Sequence, residues 1–275
     1  MTIIVSISGG KDSTATLLKA LEKYSNKDII GVFCDTGWEH PATYEYINML
    51  KDKTKVKIHT VRNEKYMGLL DLIEHKRIFP CSLKRFCSSN LKVKPMIDFL
   101  CEYVENNPNA KIENWVGIRA DESLNRKKKY GGLSPAETFV YSDIYKLTKK
   151  QTKILHNVRL RYPIIDLSAN AVYKLIIKAG LEINPLYYQG SSRVGCYPCL
   201  IGGLKGFKSV WKDDIGKERI LKLQAIEEKL QKAGSKAQLK PNISAKELVR
   251  LLENNDNQLS LFDCENEYVC GFCNI

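Results

Sequence analysis

The sequence lacks any apolar run approaching the roughly 20 residues that a membrane-spanning helix requires, so no membrane span is expected. No basic segment precedes the apolar opening MTIIV, which runs straight into SISGGKDS. That is not the pattern of a secretory signal, and a cytoplasmic protein is expected. Internal repeats and low-complexity tracts are absent, which argues against a solenoid or a disordered chain. Acidic residues are in short supply: 31 stand against 43 lysines and arginines, a formal charge of +12. An imbalance of this sign favours polyanionic partners, nucleotides or nucleic acid. It is clustered, in Arg126-Lys127-Lys128-Lys129 and again over Lys146, Lys149, Lys150, Lys153, Arg159 and Arg161. A lysine-rich, merely soluble surface would give the same total, so the clustering carries the inference.

What is present is ordinary globular composition, 44% hydrophobic and 27% charged over 275 residues. That length allows one large domain, or a domain with an extension. Short β-branched runs alternate with helical periodicity. Residues 2–8, 28–35 and 55–62 read as strands, as does the apolar run before Gly117. Thr14 to Tyr24 reads as a helix, with Leu17, Leu18 and Leu21 on one face. Residues 124–160 read as loop-rich and basic. YPIIDLSANAVYKLIIKAG gives an extended stretch and then a helix ended by Gly180. Beyond Lys212 the pattern is purely helical, with Ile220, Leu223, Ile226 and Leu230 on one face and Ser244 and Glu247 spaced as a capping box. The expected fold is α/β, a parallel sheet with helices on both faces and a C-terminal helical extension. Ligands in such sheets bind at the carboxyl ends of strands. Ser8–Ser13, Asp35–Gly37 and Gly117–Arg119 all fall there.

The segment SISGGKDS is not a Walker loop, which needs G-x-x-x-x-G-K-[ST], but its physics is similar. Gly9 and Gly10 can take positive φ and present backbone N–H groups. A helix starting near Ser13 adds its N-terminal dipole. Lys11 adds a point charge, and Ser8 and Ser13 add hydroxyls. Asp12 would repel phosphate, so its expected role is to hold Mg²⁺ or to orient the loop. A plain glycine-rich turn explains the two glycines but not the four polar residues with them.

With its context, SISGGKDST resembles the pyrophosphate loop (PP-loop) of the N-type ATP pyrophosphatases, and specifically the phosphoadenosine-phosphosulfate (PAPS) reductase family. FCDTGWEHPATYEYI, RFCSSNLKVKPM, GIRADESLNR, YPIIDLS and NPLYYQGSSRVGCYPC resemble further family segments, in family order, over about the first 200 residues. The resemblance implies a nucleotide α-hydrolase-like fold over residues 1–204, with 205–275 as helical extension and cysteine-containing tail. It implies adenine-nucleotide chemistry with ATP and Mg²⁺. Ser8, Gly9, Gly10, Lys11, Asp12 and Ser13 would hold phosphates. Asp35 and Thr36 would lie near the nucleoside or Mg²⁺. Gly117 and Arg119 would complete the site, and Arg126 and Arg193 are second-rank candidates. Lys11, Asp12 and Arg119 are the catalytic candidates.

Nine cysteines are many for a reducing compartment, where disulfides are disfavoured. Cys34 and Cys101 fall within apolar patterns and read as core. Cys81, Cys87, Cys196 and Cys199 lie in loops, and four thiolates suit either a [4Fe–4S] cluster or zinc. The resemblance favours the cluster, although Cys87-Ser88 stands where family members carry adjacent cysteines, so Cys81 would have to supply the fourth ligand. Cys264, Cys270 and Cys273 end the chain in a loose match to the family's nucleophilic tail cysteine. Within the family, the combination points first to an ATP pyrophosphatase that activates a substrate for sulfur incorporation, in DNA phosphorothioate modification, with DNA as nucleic-acid partner and a cysteine desulfurase as sulfur donor. The alternatives are tRNA thiolation, an adenylyl-sulfate or PAPS reductase, and a catalytically silent binding module. Self-association as a homo-oligomer stays open.

Overall fold

The structure is a computed structural model that describes residues 1–254. The strands are β1 (Thr2–Ile7), β2 (Ile29–Cys34), β3 (Lys57–Val61), β4 (Ile112–Trp115), β5 (Thr138–Val140) and β6 (Arg159–Arg161). The helices are α1 (Lys11–Leu21), α2 (Pro41–Thr54), α3 (Leu69–Lys76), α4 (Phe86–Ser88), α5 (Lys94–Asn106), α6 (Leu124–Tyr130), α7 (Tyr141–Ile144), α8 (Lys149–Ile154), α9 (Ala169–Lys178), α10 (Leu204–Val210), α11 (Asp214–Lys232) and α12 (Ala245–Glu253). A π-helical turn, Ser89–Val93, joins α4 to α5. Among the described residues, no helix is long and apolar enough to cross a membrane.

The strands form one sheet in the order β3-β2-β1-β4-β6-β5. Five run parallel, and the edge strand β5 pairs antiparallel with β6. Chain order reverses at β1: the sheet grows outward through β2 and β3 on one side and through β4 on the other. The crevice between the carboxyl ends of β1 and β4 is thus the topological switch point, where open α/β sheets take ligands.

Side-chain alternation builds a core on each face of the sheet. Ile3, Val5 and Ile7 of β1, with Ile29 and Phe33 of β2, pack under Leu17 of α1, Ile47 of α2 and Val172 of α9. Ile4, Val32 and Cys34 face the other way, against Met96 and Leu100 of α5 and a tyrosine-rich layer containing Tyr130, Tyr141 and Tyr162. A third apolar cluster joins Trp38, α3 and the 197–210 segment to Ile220 and Leu223 of α11 and Leu248 of α12. The C-terminal helices therefore share a core with the segments around the cysteines. Ser244 caps α12, its hydroxyl accepting from Glu247 N at 3.1 Å.

Two expectations are corrected here. The first helix starts at Lys11, not near Ser13, with Gly10 as an extended N-cap. Its first turn is polar because it faces the switch-point crevice, so apolar periodicity reveals only the later turns. Residues 124–160 are not merely loop-rich, since they hold α6, β5, α7, α8 and most of β6. The strand β6 reads Arg-Leu-Arg, and Leu160 alone faces the core; Arg161 is paired with Glu113 of β4. Three residues with one apolar position carry no legible strand signal. The tail cysteines Cys264, Cys270 and Cys273 lie outside the described residues.

Candidate active site at the switch point

The chain leaves β1 through Ser8, Gly9 and Gly10. Gly9 has φ +72°, and a Cβ there would stand 2.7 Å from Thr43 Cγ2, so both conformation and space demand glycine. Gly10 does not take positive φ, contrary to expectation; its φ is −94°. What it supplies is clearance, since a Cβ would lie 3.2 Å from the Tyr187 hydroxyl and 3.3 Å from Val194 O.

The two serines hold the loop in shape. The Ser13 hydroxyl donates to Gly10 O at 2.9 Å and accepts from Ser8 N at 3.1 Å, with Ser8 Oγ 3.2 Å away. Asn184 Nδ2 donates to Gly9 O at 3.0 Å, and Lys11 N donates to the Tyr187 hydroxyl at 3.0 Å. Asn184 and Tyr187 come from the NPLYYQ segment, and sequence reasoning had given them no role. Their signal was an Asn-Pro pair opening a turn, which names no partner.

Lys11 is 9% exposed. Its ammonium lies 3.7 Å from Asp12 Oδ2 and faces the rings of Tyr187 and Tyr173, with centroids at 4.9 and 5.8 Å. Burial pulls its pKa below the usual lysine value; the Asp12 carboxylate opposes this and Arg119 adds to it. Asp12 in turn accepts from Arg119 Nε at 2.6 Å. Arg119 is 3% exposed, the buried partner of Asp12. Of the two roles expected for Asp12, this geometry matches loop orientation. Gly117 lets the segment after β4 touch the loop, because a Cβ there would lie 2.8 Å from the Asp12 carbonyl carbon and oxygen.

Ser8, Gly10, Lys11 and Asp12 form one wall of a small polar cleft, and Glu122, Tyr187, Arg193 and Val194 form the other. Glu122 is a site residue that sequence reasoning missed. It ion-pairs with Arg126 Nη1 and stands 3.8 Å from Arg193 Nε. Arg126 is 2% exposed, so it belongs with Glu122 and not to the surface block in which it was first placed.

Asp35 and Thr36 do not line this cleft. They sit beside it, at the end of β2. Burial pushes the Asp35 carboxyl upward, but the Gly37 amide at 2.8 Å, Arg62 and the Tyr44 hydroxyl at 2.8 Å outweigh it and hold the pKa below the usual carboxylate value. Thr36 donates to Glu39 through both N and Oγ1, at 3.0 and 2.7 Å. Burial pushes the Glu39 pKa up, with Lys92 opposing.

Two expectations for the cysteines are corrected: Cys87 lies in the short helix α4 and not in a loop, and Cys101 is half-buried at the edge of the core. Cys34 is buried, donates to Lys92 O at 3.3 Å, and has its pKa pushed up to about 12 by burial. Cys101 is half-buried on α5, with its pKa pushed up to about 11, again chiefly by burial. Cys87 and Cys196 pack against the apolar cluster that the C-terminal helices share. As donors, four thiols suit iron or zinc. As placed, they do not form a ligand set: among the described residues, no group of three or more His, Cys, Asp or Glu side chains could hold a metal ion. Cys196 Sγ is 3.5 Å from Thr36 Oγ1 and 3.9 Å from Glu39 Oε1. Cys81 and Cys199 lie within electrostatic reach of Lys240, whose ammonium donates to Leu200 O at 2.8 Å and to Gly202 O. Mg²⁺ likewise finds no site of its own in the cleft, because guanidinium groups hold both Asp12 and Glu122.

Residues 2–201 match the phosphoadenosine phosphosulfate reductase domain. The chain belongs to this family. The mostly parallel sheet with helices on both faces, followed by C-terminal helices, is the nucleotide α-hydrolase-like architecture that the PP-loop resemblance implied. An uncharacterized protein of Methanocaldococcus jannaschii is 31% identical over 197 residues, covering 72% of this chain and 36% of the relative. An uncharacterized protein of Escherichia phage 186 is 30% identical over 245 residues, covering 72% of this chain and 66% of the relative. A phosphoadenosine 5'-phosphosulfate reductase of an Enterobacter species is 27% identical over 170 residues, covering 61% of this chain and 59% of the relative. The chain thus spans about a third of the archaeal relative and just under two thirds of the phage one.

Proposed function

We propose that this PAPS reductase family member is an ATP pyrophosphatase that activates a substrate for sulfur incorporation. The observation that carries the reading is the Ser8–Ser13 loop at the switch point, with the Lys11 ammonium held in the cleft by an Asp12 carboxylate that is itself fixed to buried Arg119. In this reading, an acceptor oxygen attacks the α-phosphorus of ATP, the bond from that phosphorus to the bridging oxygen of pyrophosphate breaks, and the adenylylated acceptor remains. Lys11 and the first turn of α1 stabilise the charge that collects on the leaving pyrophosphate. Magnesium would arrive with the nucleotide and neutralise phosphate charge. A sulfur nucleophile then displaces AMP from the acceptor. DNA is the acceptor we favour, as in phosphorothioate modification, and a cysteine desulfurase is the proposed donor; the chain's +12 charge supports the polyanion. No step is assigned to an iron–sulfur cluster.

The similarity to a protein named as a PAPS reductase favours a second reading, in which the sulfate of a phosphosulfate nucleotide is reduced to sulfite, the nucleotide phosphate leaves and two thiols are oxidised to a disulfide. Product analysis separates the two. With Mg²⁺ and ATP, the first reading expects AMP and pyrophosphate, and ADP with phosphate would overturn it. Sulfite released from adenylyl sulfate or PAPS in the presence of thioredoxin, without pyrophosphate from ATP, would install the second.

A further inference from the structure

Residues 124–161 carry ten lysines and arginines against two acids, +8 of the chain's +12. The fold gathers them. Tyr130 at the end of α6 packs edge-on against Tyr162, with centroids 5.8 Å apart, and Phe139 of β5 meets the same ring at 5.4 Å. Leu155, directly after α8, and Leu160 of β6 are buried in that cluster too. With these apolar side chains turned inward, Lys127, Lys128 and Lys129 of α6 and Lys149, Lys150 and Lys153 of α8 stand in solvent. The two arginines that the fold uses, Arg126 and Arg161, are withdrawn from this face and paired with Glu122 and Glu113. Lys150 lies 3.9 Å from Glu105, an exposed pair of little energetic weight. By contrast, α11 pairs Lys222 with Glu218 and Lys229 with Glu74.

The face is also continuous with the cleft. Glu122 lines the cleft, and Ser123 caps α6, its hydroxyl accepting from Arg126 N at 3.2 Å. The lysines of α6 thus begin one turn from the cleft's mouth. Among the described residues, α8 exposes no large apolar side chain and α6 only Leu124, so the face lacks the apolar stripe that a membrane-surface helix needs.

We propose that α6 and α8 form a nucleic-acid docking face that leads a phosphodiester backbone to the mouth of the loop cleft. This deepens the proposed function and rests on it for the chemistry, while the binding itself is measured without nucleotide. A chain of phosphates is the ligand that a run of exposed cations recognises, and it binds by releasing counterions.

The test is fluorescence anisotropy of a labelled DNA duplex and of a single-stranded RNA across a salt series, with the full chain. The variants are Lys127→Gln/Lys128→Gln/Lys129→Gln, Lys149→Gln/Lys153→Gln and, as control, Lys222→Gln/Lys229→Gln. The α6 triple should flatten the slope of log affinity against log salt by about 2 to 3 on duplex DNA, and the α8 double by about 2. At low salt each should weaken binding more than roughly tenfold, with the control unchanged. Tighter duplex than RNA binding supports DNA as the ligand, and the reverse assigns the face to RNA. Three outcomes would overturn the proposal: no binding at low salt, equal effects of all three variants, or binding only to phosphatidylserine vesicles. If wild type binds DNA as described but releases no pyrophosphate from ATP, the proposed function fails while the docking face stands.

Discussion

Arg126 and Lys127 are neighbours in the chain, yet the first is 2% exposed and paired with Glu122 while the second stands in solvent. The same division runs through the molecule. At the cleft, Arg119 answers Asp12 and Arg126 answers Glu122, and between β4 and β6 Arg161 answers Glu113. On the outer face of α6 and α8 the cations have few acids near them. Burial makes the difference: an ion taken out of water costs several kcal/mol unless a partner meets it, so the buried Arg119 and Arg126 each meet a carboxylate, whereas exposed lysines need no match. A basic block in a sequence therefore mixes two kinds of cation. Here one kind shapes the anion site and the other is available for a partner.

If the buried cations are structural, Arg119→Ala should have the largest effect. It strands the Asp12 carboxylate and should cost about 3–5 kcal/mol of unfolding free energy; a urea melt within about 1 kcal/mol of wild type would deny that the pair is buried. Lys11→Ala sharpens the contrast, because it removes a charge aimed at ligand and not at the fold. Pyrophosphate release should fall on the order of a hundredfold or more, while the melting temperature stays level or rises, since an ammonium no longer has to be desolvated. Gly117→Ala tests the contact between the loop and the segment after β4. Its Cβ would meet the Asp12 backbone at 2.8 Å, and the strain should cost about 1–3 kcal/mol.

The lowered Lys11 pKa gives a pH signature. Anion binding needs the protonated amine, so pyrophosphate affinity should decline as pH rises, starting below the ordinary lysine range near 10.5. Lys11→Arg, which keeps its charge, should bind with a flat profile; a wild-type profile equally flat would remove Lys11 from the site. For stability the sign is opposite. Burial of the charged form is relieved on deprotonation, so this group adds stability as pH climbs from its lowered pKa toward 10.5. The smallest effect belongs to the outer face: Lys127→Gln/Lys128→Gln/Lys129→Gln should shift stability by less than about 0.5 kcal/mol per site. A larger loss would mean that those lysines also serve the fold.

How much of this was legible in the sequence depends on where each residue's partner lies. The strands β1 and β2 could be read because both of their faces are buried, which writes a continuous apolar run. The strands β5 and β6 could not, being three residues long, with the β6 arginines paired across the sheet or exposed. The loop glycines and Lys11 could be read because they are adjacent and fall between a strand and a helix. Asn184 and Tyr187 could not, because their significance lies in contacts spanning more than a hundred residues, from Asn184 to Gly9 and from Tyr187 to Lys11, nor could Glu122, whose contact with Arg193 is also long-range. The cysteine spacing suggested a ligand set, whereas the nearness of Cys196 to Thr36 and Glu39, and of Cys81 and Cys199 to Lys240, is long-range and leaves no mark in the spacing.

The central claim is that the Ser8–Ser13 loop is a cradle for pyrophosphate in which Lys11 supplies the charge. Calorimetric titration of pyrophosphate into wild type and into Lys11→Ala tests it most directly. The account predicts saturable binding to wild type that is roughly tenfold to a hundredfold weaker in the variant, the weight of a charge-assisted hydrogen bond. Failure of wild type to bind pyrophosphate, or equal binding by both proteins, would contradict it.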